Sequence, residues 1–90
     1  MITAHEAREK TKERLRVIAE EFIINNTGMP IQEAIDNGKF LCTVSFEGVP
    51  NPEQTGEEVV RLLEERGFKA EHIYYDQISY DNYILIKWED

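Results

Sequence analysis

The chain has 90 residues, of which 41% are apolar and 31% charged, and a formal net charge of −8. A chain this short makes one domain and buries only ~60–65% of its unfolded surface, which excludes two independent cores and favours oligomers. The single cysteine, Cys42, excludes an internal disulfide and a cysteine-built zinc cluster, and no apolar run approaches the ~18 residues of a membrane-spanning helix. Aromatic and β-branched residues are too plentiful for disorder throughout. Met1-Ile2-Thr3-Ala4-His5-Glu6 shows no basic start followed by an apolar stretch, so a cytoplasmic protein is expected.

Charge is unevenly spread. Arg8, Lys10, Lys12, Arg14 and Arg16 outnumber Glu6, Glu9 and Glu13, so residues 1–16 carry +2 and residues 17–90 carry −10. A basic arm on an acidic body favours self-association or an acidic partner for the arm. The alternative is a solvated helix laced with salt bridges.

The first helix is predicted over residues 3–25. Thr3-Ala4-His5-Glu6 fits a capping box, and Ala4, Ala7, Thr11, Leu15, Ile18 and Phe22 recur at helical spacing. This stripe is small at its start and bulky at its end. A helix of that length spans ~33 Å, whereas a compact chain of this size has a radius of gyration of ~12 Å. The second half is therefore expected to pack on the body. The first half is expected to project, or to meet another chain through Ala4, Ala7, Thr11 and Leu15.

A short second helix follows, with Pro30 in its first turn, Gly38 past its end, and Ile31, Ala34 and Ile35 as its apolar edge. Phe40 to Phe46 reads as a half-buried strand, with Phe40, Cys42, Val44 and Phe46 on one face. A third helix begins either at Pro52, capped by Asn51, or behind Thr55. It buries Val59, Leu62 and Leu63 and ends at Gly67. Strands at residues 68–75 and 83–88 make an antiparallel hairpin with its turn at 76–82. A right-handed crossover from the first strand to the second would make the sheet mixed.

Few residues offer chemistry. His5 and His72 form no HxH or HxxxH pair, so no metal is expected. Cys42 alternates in register with Phe40, Val44 and Phe46 and reads as a small buried apolar group. Glu20-Glu21, Glu57-Glu58 and Glu64-Glu65 fall on polar helix faces, and no glycine loop suits a phosphate, so neither enzyme nor cofactor is expected. Tyr74, Tyr75, Tyr80, Tyr83 and Trp88 concentrate in the hairpin, either packing across strands or forming a contact surface. An acidic body repels nucleic acid.

Thr3-Ala4-His5-Glu6-Ala7-Arg8, Asn37-Gly38-Lys39-Phe40, Val59-Val60-Arg61-Leu62-Leu63-Glu64-Glu65-Arg66-Gly67-Phe68-Lys69 and Tyr83-Ile84-Leu85-Ile86-Lys87-Trp88 span most of the chain. In them the sequence resembles small uncharacterised proteins encoded by phages and prophages. The resemblance implies a protein that binds host or phage components, and it brings no activity with it.

The expectation is therefore an α+β domain: a long N-terminal helix, a short second helix, then β-α-β-β with a three-stranded mixed or antiparallel sheet covered by helices. The expected function is non-enzymatic binding by a homo-oligomer acting on a host protein or a small anionic signalling ligand. Arg8, Lys12 and Arg16 would meet the negative charge, and Tyr75 and Tyr80 would add an aromatic surface. The alternatives are an interaction module with no small ligand, and an acidic mimic of DNA.

Overall fold

The structure is a computed structural model that describes residues 1–74 and 82–89. Helix α1 covers Ala4–Asn26, α2 Gly28–Asp36 and α3 Pro52–Glu65; strand β1 covers Leu41–Ser45, β2 Lys69–Tyr74 and β3 Asn82–Lys87. Thr3 caps α1 as its spacing requires: its Oγ1 accepts from the Glu6 amide at 3.1 Å, and its hydroxyl donates to Glu6 Oε1 at 3.3 Å. At Thr27 the chain passes directly into α2, with the buried Thr27 hydroxyl donating to the Ile23 carbonyl at 2.6 Å. Gly38 and Gly67, at φ of 71° and 90°, close α2 and α3. In each case the next amide reaches back, Lys39 to the Ala34 carbonyl at 2.8 Å and Phe68 to the Leu63 carbonyl at 3.1 Å.

Of the two starts open to α3, the chain takes Pro52. Asn51 occupies the cap position in a left-handed conformation, φ 47°. Its side chain donates to Gln54 Oε1 at 2.7 Å rather than serving the helix amides. Thr55 lies buried inside the helix and donates its hydroxyl to the Pro50 carbonyl at 2.7 Å.

The sheet order is β1-β3-β2, and both pairings are antiparallel. Of the mixed and antiparallel alternatives the chain takes the antiparallel one, because β3 inserts between the two strands that α3 connects. β3 carries apolar residues on both faces, Tyr83 and Leu85 on one and Ile84 and Ile86 on the other, which suits a central strand. The helices lie on the face of Cys42, Val44, Ala70, His72, Ile84 and Ile86. There Phe22, Ala19 and Ile23 of α1 and Val59, Leu62 and Leu63 of α3 complete the core. Phe22 meets the fully buried Phe46 edge to face, centroids 4.8 Å apart. The opposite face, with Leu41, Leu85, Tyr83 and Ile73, carries no helix among the described residues.

Three expectations about burial need correction. Phe40 precedes β1 and is 54% exposed, although its carbonyl accepts from the Trp88 amide at 3.0 Å. Ile35 is exposed on α2, whose inward side is set by Ile31 and Ala34. Leu15 is only 8% exposed and is thus spent on its own chain rather than presented to another.

Residues 4–14 of α1 are all exposed. The radius of gyration is 14.6 Å and the principal extents are 54, 32 and 21 Å, longer than a compact chain of ~12 Å radius of gyration would show. The 23-residue helix α1, rising ~1.5 Å per residue, spans ~35 Å and contributes much of the long axis. Among the described residues no helix is long and apolar enough to cross a membrane.

Candidate functional site

The helical spacing that made α1 read as a stripe also decides which of its residues share a wall. Ala7, Arg8, Thr11, Lys12 and Leu15 line one side of an open groove of about 300 Å³, and Gln54 of α3 faces them. The groove continues past Lys12, Leu15 and Gln54 to Glu57 and Glu58. Leu15 anchors the base, where α1 first becomes buried. Thr11 turns its hydroxyl onto its own helix, donating to the Ala7 carbonyl at 2.8 Å, so the wall at that point presents small, internally satisfied side chains.

Cations line α1 and anions line α3. Lys12 pairs within α1, its Nζ 3.7 Å from Glu9. On α3, Arg61 holds Glu58 at 2.5 Å and Glu65 at 2.7 Å, and those bonds, Glu58 first, push its guanidinium pKa upward. Among the described residues no ion pair crosses the groove. α3 holds five glutamates against Arg61 alone, for a net −4.

Of the expected partner-binding residues, the structure thus brings Arg8 and Lys12 together with Ala7, Thr11 and Leu15. Arg16 lies outside the groove lining, its Nε 3.3 Å from Glu20 one turn along the same helix. Ala4 sits exposed in the first turn. Tyr75 and Tyr80, with the expected turn at 76–82 up to Asp81, lie outside the described residues.

Sequence reasoning missed a second constellation, centred on His72. Its Nε2 lies 2.7 Å from Asn82 Oδ1, and Asn82 Nδ2 donates to the Phe46 carbonyl at 3.1 Å. Since the Asn82 oxygen must accept, Nε2 carries the proton. The ring meets Phe46 at 4.9 Å between centroids and stacks on Tyr74 at 5.6 Å. It fits because α3 has no side chain at Gly56. A Cβ there would overlap His72 Nδ1 and lie 2.8 Å from Cγ and Cε1. The legible signal was Gly56 itself, a lone glycine inside a helical pattern, which usually has a packing reason. With Nε2 bound to Asn82 and Asn82 bound to the Phe46 carbonyl, the His72 network is a strut between α3 and the sheet. Among the described residues no cluster of three or more metal-binding side chains forms. No family model, curated protein or solved structure matches the chain.

Proposed function

We propose that the chain is a non-enzymatic binding protein that works as a homo-oligomer, with the exposed half of α1 as the contact between copies. The observation that supports this reading is that residues 4–14 form regular helix while every one of them stays exposed. Isolated helices shorter than ~12–15 residues are marginal in water, so this stretch draws its order from the docked half and has a free surface to offer. Charge supports a second copy as its occupant. The basic first half of α1 in one chain suits the anionic α3 of another, and in a two-fold pair the same contact forms twice. Arg8 and Lys12, brought near their counterparts across such an interface, would receive an acidic segment of a host protein or a small anionic ligand.

Sedimentation of the full chain over a range of concentrations tests this, beside Ala7→Glu/Thr11→Glu and a form lacking residues 1–14. A stable oligomer that both changes turn into monomer bears the reading out. A monomeric full chain sinks it. Because the deleted residues are all exposed, the shortened form should melt within a few degrees of the full chain.

A further inference from the structure

The geometry points to the free edge of β1 as a docking site for one extended, apolar–basic peptide strand of another protein. This site is independent of α1 and of the oligomer proposed above.

The backbone hydrogen bonds identify the edge. The Phe46 amide donates to the Asn82 carbonyl and the Trp88 amide to the Phe40 carbonyl, at 2.9 and 3.0 Å. Since antiparallel ladders alternate, the even residues Phe40, Cys42, Val44 and Phe46 direct their amides and carbonyls at β3. Leu41, Thr43 and Ser45 direct theirs away from the sheet. β1 is an outer strand, and no backbone partner takes up those groups among the described residues.

Natural edges are blunted by charge, proline or a bulge, because unpaired strands recruit others. β2, the other outer strand, carries Lys69 and Glu71. β1 reads Leu-Cys-Thr-Val-Ser, with none of these devices in a regular register. Beside it lies a groove of about 310 Å³, walled by Pro30, Glu33 and Ala34 of α2 and by Asn37 just past its end, against Leu41 and Thr43. A helix wall alongside an open strand edge is the arrangement that takes up a peptide by strand addition: the edge supplies hydrogen bonds and the wall reads alternate side chains.

The same wall argues for a peptide over a second copy. Two β1 strands paired edge to edge would be ~4.8 Å apart. The α2 helix beside each would then crowd its twin, since packed helices need ~8–10 Å. A single strand brings no helix. Running antiparallel, it would lay alternate side chains beside Leu41, which is 46% exposed, and the others against Ala34 and Pro30. Glu33 lines the wall and residues 17–90 carry −10, which favours a lysine or arginine on the peptide opposite Glu33. Lys39, at the end nearest the α2–β1 turn, faces the peptide's C-terminal side.

The test pans a displayed library of random decapeptides on the full-length protein. The enriched sequence, as a synthetic peptide, is then followed by amide hydrogen exchange. Alternating apolar residues with one lysine or arginine should be selected, and the Leu41, Thr43 and Ser45 amides should slow at least about tenfold on binding. Thr43→Pro removes an outward amide that an edge strand can lose and still fold; it should weaken binding at least about tenfold. Glu33→Lys, on the exposed wall, should select against basic peptides. The inference is overturned if nothing binds more tightly than about 1 mM, if protection falls elsewhere, or if Thr43→Pro binds as well as the parent. It is also overturned if the three amides prove protected by a second copy, seen as a mass that Thr43→Pro halves.

Discussion

Gly56→Ala tests the contact that holds α3 against the sheet. In an ordinary helix interior this change stabilises by ~0.8–1.0 kcal/mol, since alanine is the better helix former. Here the added Cβ overlaps His72 Nδ1 and stands 2.8 Å from two further ring atoms. The imidazole must move, and it cannot turn away without leaving Asn82, 2.7 Å from its Nε2. Overpacking costs ~1–3 kcal/mol and loss of the hydrogen bond a further ~0.5–1.5 kcal/mol. The clash wins, and Gly56→Ala should destabilise by about 2 kcal/mol. In a domain of this size that lowers the melting temperature by roughly 8–16 °C. His72→Ala removes the obstacle, so in that background the same change should stabilise by up to about 1 kcal/mol. Thermal melts of the four proteins complete the cycle. A Gly56→Ala protein as stable as the parent, or an equal loss with and without His72, would refute the strut.

The other expectations are more local. Burial pushes the Cys42 thiol above its ordinary pKa, so its alkylation at pH 8 should run more slowly in the folded than in the denatured protein. A raised folded value favours the protonated form, so the associated stability is whole below the unfolded pKa of ~8.5 and declines as pH rises through the folded value. Melting temperature should therefore fall less above pH ~8.5 in Cys42→Ala than in the parent. Asn51, at φ 47°, should tolerate glycine within ~0.5 kcal/mol and lose ~1–2 kcal/mol on replacement by valine, measured by urea unfolding.

Local chemistry made much of the fold legible. The Thr3 cap, the glycines that close α2 and α3, and the alternation through Cys42, Val44 and Phe46 each rest on residues a few positions apart. The groove was partly legible for the same reason, because Ala7, Thr11 and Leu15 share one side of α1 wherever that helix lies. Its other wall, Gln54 and Glu57, belongs to an element some forty residues away, and no periodicity along the chain joins the two.

By itself the sequence determined the number, kind and order of the elements, and the split of charge between a basic helix start and an acidic remainder. Helix caps and strand alternation are satisfied within one turn or one strand, so a single stretch of chain suffices to read them. The tertiary structure alone decided that β3 lies between β1 and β2, that Phe40 and Ile35 stay outside, and that His72 fills the space left at Gly56. Strand order depends on closing long loops against competing pairings of similar apolar strands. Side-chain burial depends on which helix then arrives above each strand. Both are contests among distant residues, decided when β3, apolar on both faces, takes the centre of the sheet and leaves β1 and β2 as its edges.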